Sequence, residues 1–141
     1  MAAGPMDGVL ALARQVLAAQ PFSAHMGARV TAFSLEGTEI RVPLGDHTRQ
    51  QHGTTHGGVI CYAADNALTF AGGAVLGPDV VTAEFKINYV RPAIGSELIA
   101  RAGAIHAGKS QAVCRCDVFV VAADGAESLC ATALGTIRKR G

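Results

Sequence analysis

The chain has 141 residues, half of them hydrophobic and 16% charged, with a formal net charge of +1. That length fits one domain with a sizeable core. The charge balance argues against nucleic acid as the main partner, because no basic stripe with interleaved aromatic residues occurs. So few charges on a small domain predict that a partner subunit covers part of its surface.

The first half of the chain predicts a helix, two strands and a polar loop. Residues 7–19 repeat apolar residues at helical spacing, which predicts a short amphipathic helix that Pro21 ends. Two short strands are predicted at 28–34 and 38–44, with a turn at Glu36-Gly37 between them. Residues 45–55 form a polar loop that leads into the next helix, and such loops are common places for function.

A run from His56 to Leu76 carries almost no charge, and its apolar positions circle the helix that they predict. A helix that is apolar all round belongs inside a protein or a membrane. Asp65 and four glycines in the run argue against a membrane span, so we expect no membrane partner. The run therefore predicts a central helix wrapped by the rest of the chain. Asp65 would be a buried carboxylate, hydrogen-bonded for structure or held for chemistry.

After a turn at Gly77-Pro78-Asp79, four strands are predicted, at 81–89, 96–106, 111–122 and 127–138. One face of the first strand is expected to carry Val81, Ala83, Phe85, Ile87 and Tyr89. Short connections, with hairpin signals at Gly108-Lys109 and Asp124-Gly125, predict an antiparallel meander. The fold class is then α+β: a curved antiparallel sheet around one long apolar helix, with a short N-terminal helix.

Cysteine usage and the N-terminal segment indicate the cellular compartment of the protein. The four cysteines contain no CxxC pair, and Cys114 and Cys116 are spaced to lie on one face of a strand as small hydrophobes. Residues 1–21 lack the basic start of a signal peptide. These features predict a reduced, cytoplasmic protein.

Several classes of site do not fit the sequence. His47, His52 and His56 lack the spacing of ligands on one helical face, so no metal site is predicted. No G-x-S-x-G motif occurs for a serine nucleophile, and Gly57-Gly58 lacks the spacing of a dinucleotide fingerprint. We therefore expect neither a metal nor a redox cofactor.

The start of the central helix and its one acid form a coherent pair. His56-Gly57-Gly58 opens the helix, where free backbone N–H groups can stabilise an oxyanion and glycine lets a carbonyl approach closely. Asp65 follows Gly57 by eight residues, roughly 12 Å along the helix, which is too far for both to act on one carbonyl within one subunit. If they cooperate, the carboxylate comes from a neighbouring chain. Thr69 lies on the same helix face as Asp65.

These residues carry a resemblance to a known family. The pattern His56-Gly57-Gly58-x6-Asp65, followed by the segment from Phe85 to Gly95, resembles the hot-dog fold acyl-CoA thioesterases of the phenylacetate-degradation (PaaI-like) group. The similarity runs from about residue 25 to residue 138. It implies a hot-dog fold, a dimer with a continuous sheet or a tetramer of two dimers, and an acyl-CoA substrate. It also implies that the Gly57 N–H polarises the thioester carbonyl, with Asp65 of the other subunit as general base or nucleophile.

One position departs from the PaaI-like pattern, which usually has Asn six residues before the histidine, where this chain has Gln50. The related 4-hydroxybenzoyl-CoA thioesterase branch carries Gln there and a threonine four residues past its acid, as Thr69 is here, although that acid is Glu. Gln50 is then expected to orient water. Thr82 lies where similar enzymes have a small hydroxyl residue, and an ordinary strand threonine is an equal alternative.

The resemblance also suggests contacts for the substrate. Similar proteins use a tight basic turn for the phosphates of coenzyme A, and Gly108-Lys109-Ser110 is such a turn. Arg91, at the end of its strand, is a second candidate cation. Gly58 and Thr82 are expected to contact the substrate near the reacting group.

The sequence as a whole predicts an acyl-CoA thioesterase, with residues 1–24 as a helical extension and 25–141 as a single hot-dog domain. Coenzyme A enters as part of the substrate, and the other expected partner is a second copy of the chain. An enoyl-CoA hydratase or acyl-ACP dehydratase of the same fold is one alternative, but the pattern Asp-x4-His is absent. A non-catalytic acyl-CoA-binding module is another, although it would have no reason to keep a carboxylate beside the pocket.

Overall fold

The computed structural model describes residues 5–141, with side chains from Gly8 onward. Within these residues it has three α-helices and six strands, besides a short 3-10 turn at Asp46–Thr48. The helices are α1 (Pro5–Ala18), α2 (Pro21–Met26) and α3 (Gly57–Leu76). The strands are β1 (Arg29–Ser34), β2 (Gly37–Pro43), β3 (Val80–Tyr89), β4 (Glu97–Ala107), β5 (Gln111–Val121) and β6 (Glu127–Lys139).

The predicted α+β class is confirmed, and one helix was missed. Pro21 does not only follow α1; it also occupies the first turn of α2, where its fixed φ favours a helix and its missing N–H is no loss. Gly27 ends α2 with a φ of 69°, a left-handed conformation suited to glycine. The predicted division of the chain at residues 24 and 25 remains a prediction, and residues 1–4 lie outside the described part.

All six strands form one antiparallel sheet in the order β1-β2-β4-β5-β6-β3. The two hairpins that join β4, β5 and β6 are confirmed, but a simple meander is wrong, because β3 pairs with β6 at the end of the sheet. Residues 90–96 carry the chain from β3 to β4, which lies between β2 and β5. Alternation of apolar residues identifies strands and carries no information about which strands pair.

A β-bulge in β3 changes which of its residues face the helix. Thr82 pairs with Ile137 and Glu84 with Thr136, which leaves Ala83 as an extra residue. Phe85 packs against the core, as predicted. Val81 and Ala83 are exposed instead of sharing that face, and Thr82 turns towards α3. The sequence prediction was therefore wrong on the N-terminal side of the bulge.

Helix α3 packs against the sheet with one face and leaves another face half-exposed. The buried face is rich in small residues: Ala63, Ala64, Ala67, Leu68 and Ala71. The half-exposed face carries Cys61, Tyr62, Asp65, Asn66 and Thr69. Asp65 is thus not the fully buried carboxylate that the sequence predicted, because the chain covers only one side of this helix. By length and composition α3 could cross a membrane, but its packing is that of a core helix.

Two adjacent glycines near the end of α3 have very different surroundings. A Cβ atom on Gly72 would lie 2.4 Å from Cγ2 of Ile137, a fully buried side chain of β6. A Cβ atom on Gly73 would be 3.6 Å from Cγ2 of Val80, an ordinary contact. Gly72 therefore allows the helix to approach the sheet closely, whereas Gly73 does not serve that purpose.

A polar network ties α2 to the half-exposed face of α3. The Tyr62 hydroxyl donates to Ser23 Oγ at 2.5 Å, and the Asn66 side-chain amide donates to the Tyr62 oxygen at 3.0 Å. Ser23 in turn donates to Gln20 Oε1 at 2.6 Å. This network places α2 beside the helix face that carries Asp65.

Candidate active site

The start of α3 is capped by the side chain of His56. Its Nδ1 accepts a hydrogen bond from the Gly58 N–H at 2.8 Å, which places the proton of a neutral imidazole on Nε2. A Cβ atom on Gly58 would lie 2.9 Å from this Nδ1, so a larger residue would push the imidazole out of its capping position. The Gly57 N–H is the first of the helix and has no partner among the described residues.

Gly57 also lines a cleft of about 400 Å³. Its lining includes Gly57, Ile60, Tyr89 and Arg91, so the structure brings two of the predicted site residues, Gly57 and Arg91, into one cavity. A Cβ atom on Gly57 would be 3.5 Å from the Tyr89 ring, which is an ordinary contact. Packing therefore does not demand glycine at position 57. The absence of a side chain instead leaves the backbone open to the approach of a substrate.

Asp65 is held by hydroxyl groups farther along α3. Thr82 donates to Asp65 Oδ1 at 2.7 Å, and Thr69 Oγ1 lies 2.7 Å from Thr82 Oγ1 and 2.8 Å from the Asp65 backbone oxygen. Each hydroxyl has a single proton: that of Thr82 goes to the carboxylate, and that of Thr69 goes either to the Asp65 backbone oxygen or to Thr82 Oγ1. Oδ2 of Asp65 accepts no hydrogen bond within residues 8–141. One carboxylate oxygen is thus oriented, and the other is available to a water or a substrate.

In the single chain the side chain of Gln50 is engaged within its own loop, and Lys109 lies far from the cleft. The Gln50 amide donates to Thr54 Oγ1 at 2.8 Å, and its oxygen accepts from the His52 N–H, so the side chain braces its own loop. The Gly108-Lys109-Ser110 turn is at the Val80 end of β3, because the Lys139 N–H donates to Ser110 and Val80 pairs with Lys139. The cleft is at the Tyr89 end. Nine residue steps along β3 separate these ends by about 30 Å.

The family follows from comparison with known proteins. The model of the thioesterase superfamily matches residues 52–126, which is 75 of the 141 residues and includes both Gly57 and Asp65. The chain belongs to the thioesterase superfamily. This thioesterase is also 31% identical to a Haemophilus influenzae protein named as a candidate esterase, over 67% of this chain and 70% of that one. These matches confirm the predicted enzyme class, a hydrolase.

Solved structures support the same family. A thioesterase family protein from Silicibacter pomeroyi is 30% identical, with a TM-score of 0.83 over 89% of this chain and 93% of that chain. The Escherichia coli PaaI protein of the phenylacetic acid degradation operon is 18% identical and shares the fold, with a TM-score of 0.83 over 98% and 97% of the two chains. The hot-dog fold and the resemblance to PaaI-like thioesterases are confirmed.

Sequence reasoning missed two neighbours of Gly57 in this thioesterase, Cys61 and Tyr89. Burial and the nearby Asp65 charge raise the pKa of the Cys61 thiol, so it is protonated at neutral pH and is a poor nucleophile. Burial also raises the pKa of the Tyr89 hydroxyl, which keeps it a hydrogen-bond donor. The spacing of Gly57, Cys61, Asp65 and Thr69 by four residues is the signal that could have identified Cys61. Tyr89 is brought in by the fold alone.

Proposed function

We propose that this chain is an acyl-CoA thioesterase that hydrolyses a CoA thioester to a free carboxylate and coenzyme A. The observation that carries the proposal is a helix that begins at a cleft with Gly57, whose N–H is free among the described residues, and that also carries a carboxylate oriented by Thr82. Gly57 supplies a donor for the oxyanion that forms on the thioester carbonyl. The proposed reaction uses no metal or redox cofactor.

In the proposed mechanism, Asp65 of a second subunit acts on the carbonyl that Gly57 polarises. As a general base, Asp65 takes a proton from water while the water oxygen bonds to the carbonyl carbon. The tetrahedral oxyanion then collapses, the carbon–sulfur bond breaks, and the proton passes to the CoA sulfur. As a nucleophile, Asp65 would instead bond to the carbonyl carbon and expel the CoA thiolate, and water would then hydrolyse the mixed anhydride to the free acid and regenerate Asp65. Both routes need the carboxylate that Thr82 orients.

We also propose a dimer in which β3 pairs with its own copy. β3 is ten residues long and has a partner, β6, on only one side among the described strands. Val81, Tyr89 and Val90 are each more than 40% exposed along or just after it. A long strand edge with exposed apolar side chains needs cover. An antiparallel β3–β3 pair would extend the sheet, and two such dimers could form a tetramer.

The proposed pairing would bring distant parts of two chains together. In an antiparallel pair the Val80 end of one β3 lies beside the Tyr89 end of the other. The Lys109 turn of one chain then lies towards the cleft of its partner, where it could meet the CoA phosphates, with Arg91 on the other side. Four free cysteines are compatible with the reducing, cytoplasmic location that we propose.

The test is a panel of aryl, short-chain and medium-chain acyl-CoAs with detection of the free thiol released. Turnover of at least one substrate in the range of ordinary enzymes, about 1–10³ per second, is expected. Hydration of an enoyl-CoA without thiol release would favour the hydratase alternative. Tight binding of acyl-CoA with no turnover of any panel member would favour a binding module. Either result would overturn the proposal.

Mixing two inactive variants tests whether the site is shared. Gly57→Pro removes the amide hydrogen, and proline is well tolerated at the first position of a helix. Its preceding residue, His56, has the extended ψ of 134° that proline prefers. If Gly57→Pro and Asp65→Asn chains are refolded together, half of the dimers are hybrids with one intact site. Activity should return to about a quarter of the wild-type value.

Each variant refolded alone is the control and should remain inactive. If each site lay within one subunit, every site in the mixture would carry one of the two substitutions and no activity would return. Absence of recovered activity would therefore contradict a shared site. Light scattering on the same samples should show a dimer or tetramer, and an active monomer would contradict the assembly as well.

Lys109→Ala should raise the KM for acyl-CoA, because the variant loses a cation near the phosphates. The KM for a pantetheine thioester, which lacks the nucleotide, should not change. Lys86→Ala is the matched control, since Lys86 is also exposed but lies on the outer face of the sheet. Equal effects of Lys109→Ala on both substrates would show that the turn does not bind the nucleotide.

A further inference from the structure

The Gly57–Gly58 peptide unit is held from both sides by side chains. The Tyr89 hydroxyl donates to the Gly57 carbonyl oxygen at 3.1 Å. On the other side, the N–H of the same peptide unit donates to His56 Nδ1 at 2.8 Å. The Tyr89 ring also lies against Gly57, within 3.6 Å of where a Cβ atom would stand. One residue from the end of an edge strand therefore contacts the first turn of α3.

A helix that begins with two glycines needs such restraint. Glycine loses more backbone freedom on folding than any other residue, and each one costs a helix about 1 kcal/mol relative to alanine. The cost falls here on Gly57, which lines the cleft and whose N–H has no partner among the described residues. A donor that stabilises an oxyanion works only when its direction is fixed before the reaction. The Gly57 N–H belongs to the preceding peptide unit, whose carbonyl, that of His56, accepts from the Val59 N–H at 3.0 Å. The two hydrogen bonds to the next peptide unit, from Tyr89 and to His56 Nδ1, limit rotation about the Gly57 backbone that joins the two units.

We propose that Tyr89 is a positioning residue, which fixes the Gly57–Gly58 peptide and thereby the direction of the Gly57 N–H towards the thioester oxygen. The inference rests on the proposed thioesterase function and assigns a role to a residue of the cleft wall. Tyr89 transfers no proton in this role. Its hydroxyl is already committed to the Gly57 carbonyl, and burial raises its pKa, so the donor persists over the working pH range.

The experiment compares Tyr89→Phe with Tyr62→Phe, since these are the two tyrosines of the chain. Both variants keep the ring and lose a bonded hydroxyl, but the Tyr62 hydroxyl binds Ser23 on the α2 side of α3. Tyr89→Phe should lower kcat about tenfold, since it loosens an oxyanion donor without removing it, with KM changed less than about twofold. Tyr62→Phe should keep the wild-type kcat.

A second measurement reports the donor directly. In an Asp65→Asn background, which prevents turnover, the C=O stretch of a bound isotope-labelled acyl-CoA should lie below its frequency in water. Adding Tyr89→Phe should shift the C=O stretch part of the way back towards its frequency in water. The shape of the pH–rate profile should be the same with and without Tyr89→Phe, because no proton transfer is removed.

Four results would overturn the inference: an unchanged kcat, an unchanged C=O stretch, a lost limb of the pH profile, or an equal loss of kcat in Tyr62→Phe. A Tyr89→Phe variant whose melting temperature falls, or whose oligomeric state changes, along with kcat would also overturn it, in favour of a structural role. These outcomes are separate from failure of the proposed function. That failure would appear as a wild-type protein that releases no thiol from any acyl-CoA.

Discussion

Asp65→Asn should lower kcat for the best acyl-CoA by at least roughly 10²–10⁴-fold, which is what a general base contributes, and by more if Asp65 attacks the carbonyl itself. The amide keeps the shape of the side chain and can still accept from Thr82, whose hydroxyl lies 2.7 Å from Oδ1. The fold and the affinity for acyl-CoA should therefore survive. Thiol release and calorimetric binding measure the two effects separately.

The matched control is Asp117→Asn. Asp117 also accepts a threonine hydroxyl, that of Thr132 at 2.7 Å, and it is also half-exposed, but it lies on the outer face of β5. This variant loses the same charge beside a threonine hydroxyl, together with a 3.4 Å ion pair to Arg115, and should keep the wild-type kcat. Near-full turnover by Asp65→Asn would show that the proposed mechanism is wrong.

Gly72→Ala should lower the free energy of unfolding by about 1–3 kcal/mol, because the new methyl group has no space. Its Cβ would lie 2.4 Å from Cγ2 of Ile137, which is fully buried and cannot turn away. Gly73→Ala, one residue farther on, should instead stabilise the protein by about 0.5–1 kcal/mol, since the Cβ fits and alanine favours a helix. Urea unfolding measures both.

A double variant identifies the contact responsible. Ile137→Ala alone should cost about 2–5 kcal/mol as a cavity mutation. It removes Cγ1 and Cγ2 of residue 137 but keeps its Cβ, which a Cβ on Gly72 would meet at 2.5 Å. In that background Gly72→Ala should lose part of its cost, because two of the three close contacts are gone. If its cost stays the same, the close approach of α3 to β6 is not the reason for Gly72.

The sequence predicted the elements of the fold well where one physical rule governs them. The apolar run after His56 and the alternating strands were found to within a few residues, because burial imposes those periods. Pairing of β3 with β6 was not predictable, since each strand pattern is compatible with several neighbours. Helix α2 was missed because its six residues are too few to show a period, and proline at its start was taken only as a stop signal.

In the candidate site, too, the features that helix geometry sets could be predicted, and those that depend on tertiary packing could not. The spacing of Gly57 and Asp65 along one helix and the link between Thr69 and Asp65 follow from helix geometry, so they could be predicted. Tyr89 could not, because it reaches Gly57 from another strand. The free surface of Asp65 was also missed, since apolar composition alone does not show which side of a helix the sheet leaves open.

The bulge at Ala83 has a consequence for comparing this chain with its relatives. Thr82 and Tyr89 are seven residues apart, an odd number, yet both face α3, because the extra residue reverses the alternation between them. A related strand without the extra residue would present a hydroxyl to the carboxylate from a position six residues before its tyrosine. When the two sequences are aligned on the tyrosine without a gap, that residue is matched with Ala83 of this chain. Relatives that keep the same hydroxyl–carboxylate contact can therefore look as if they had lost it.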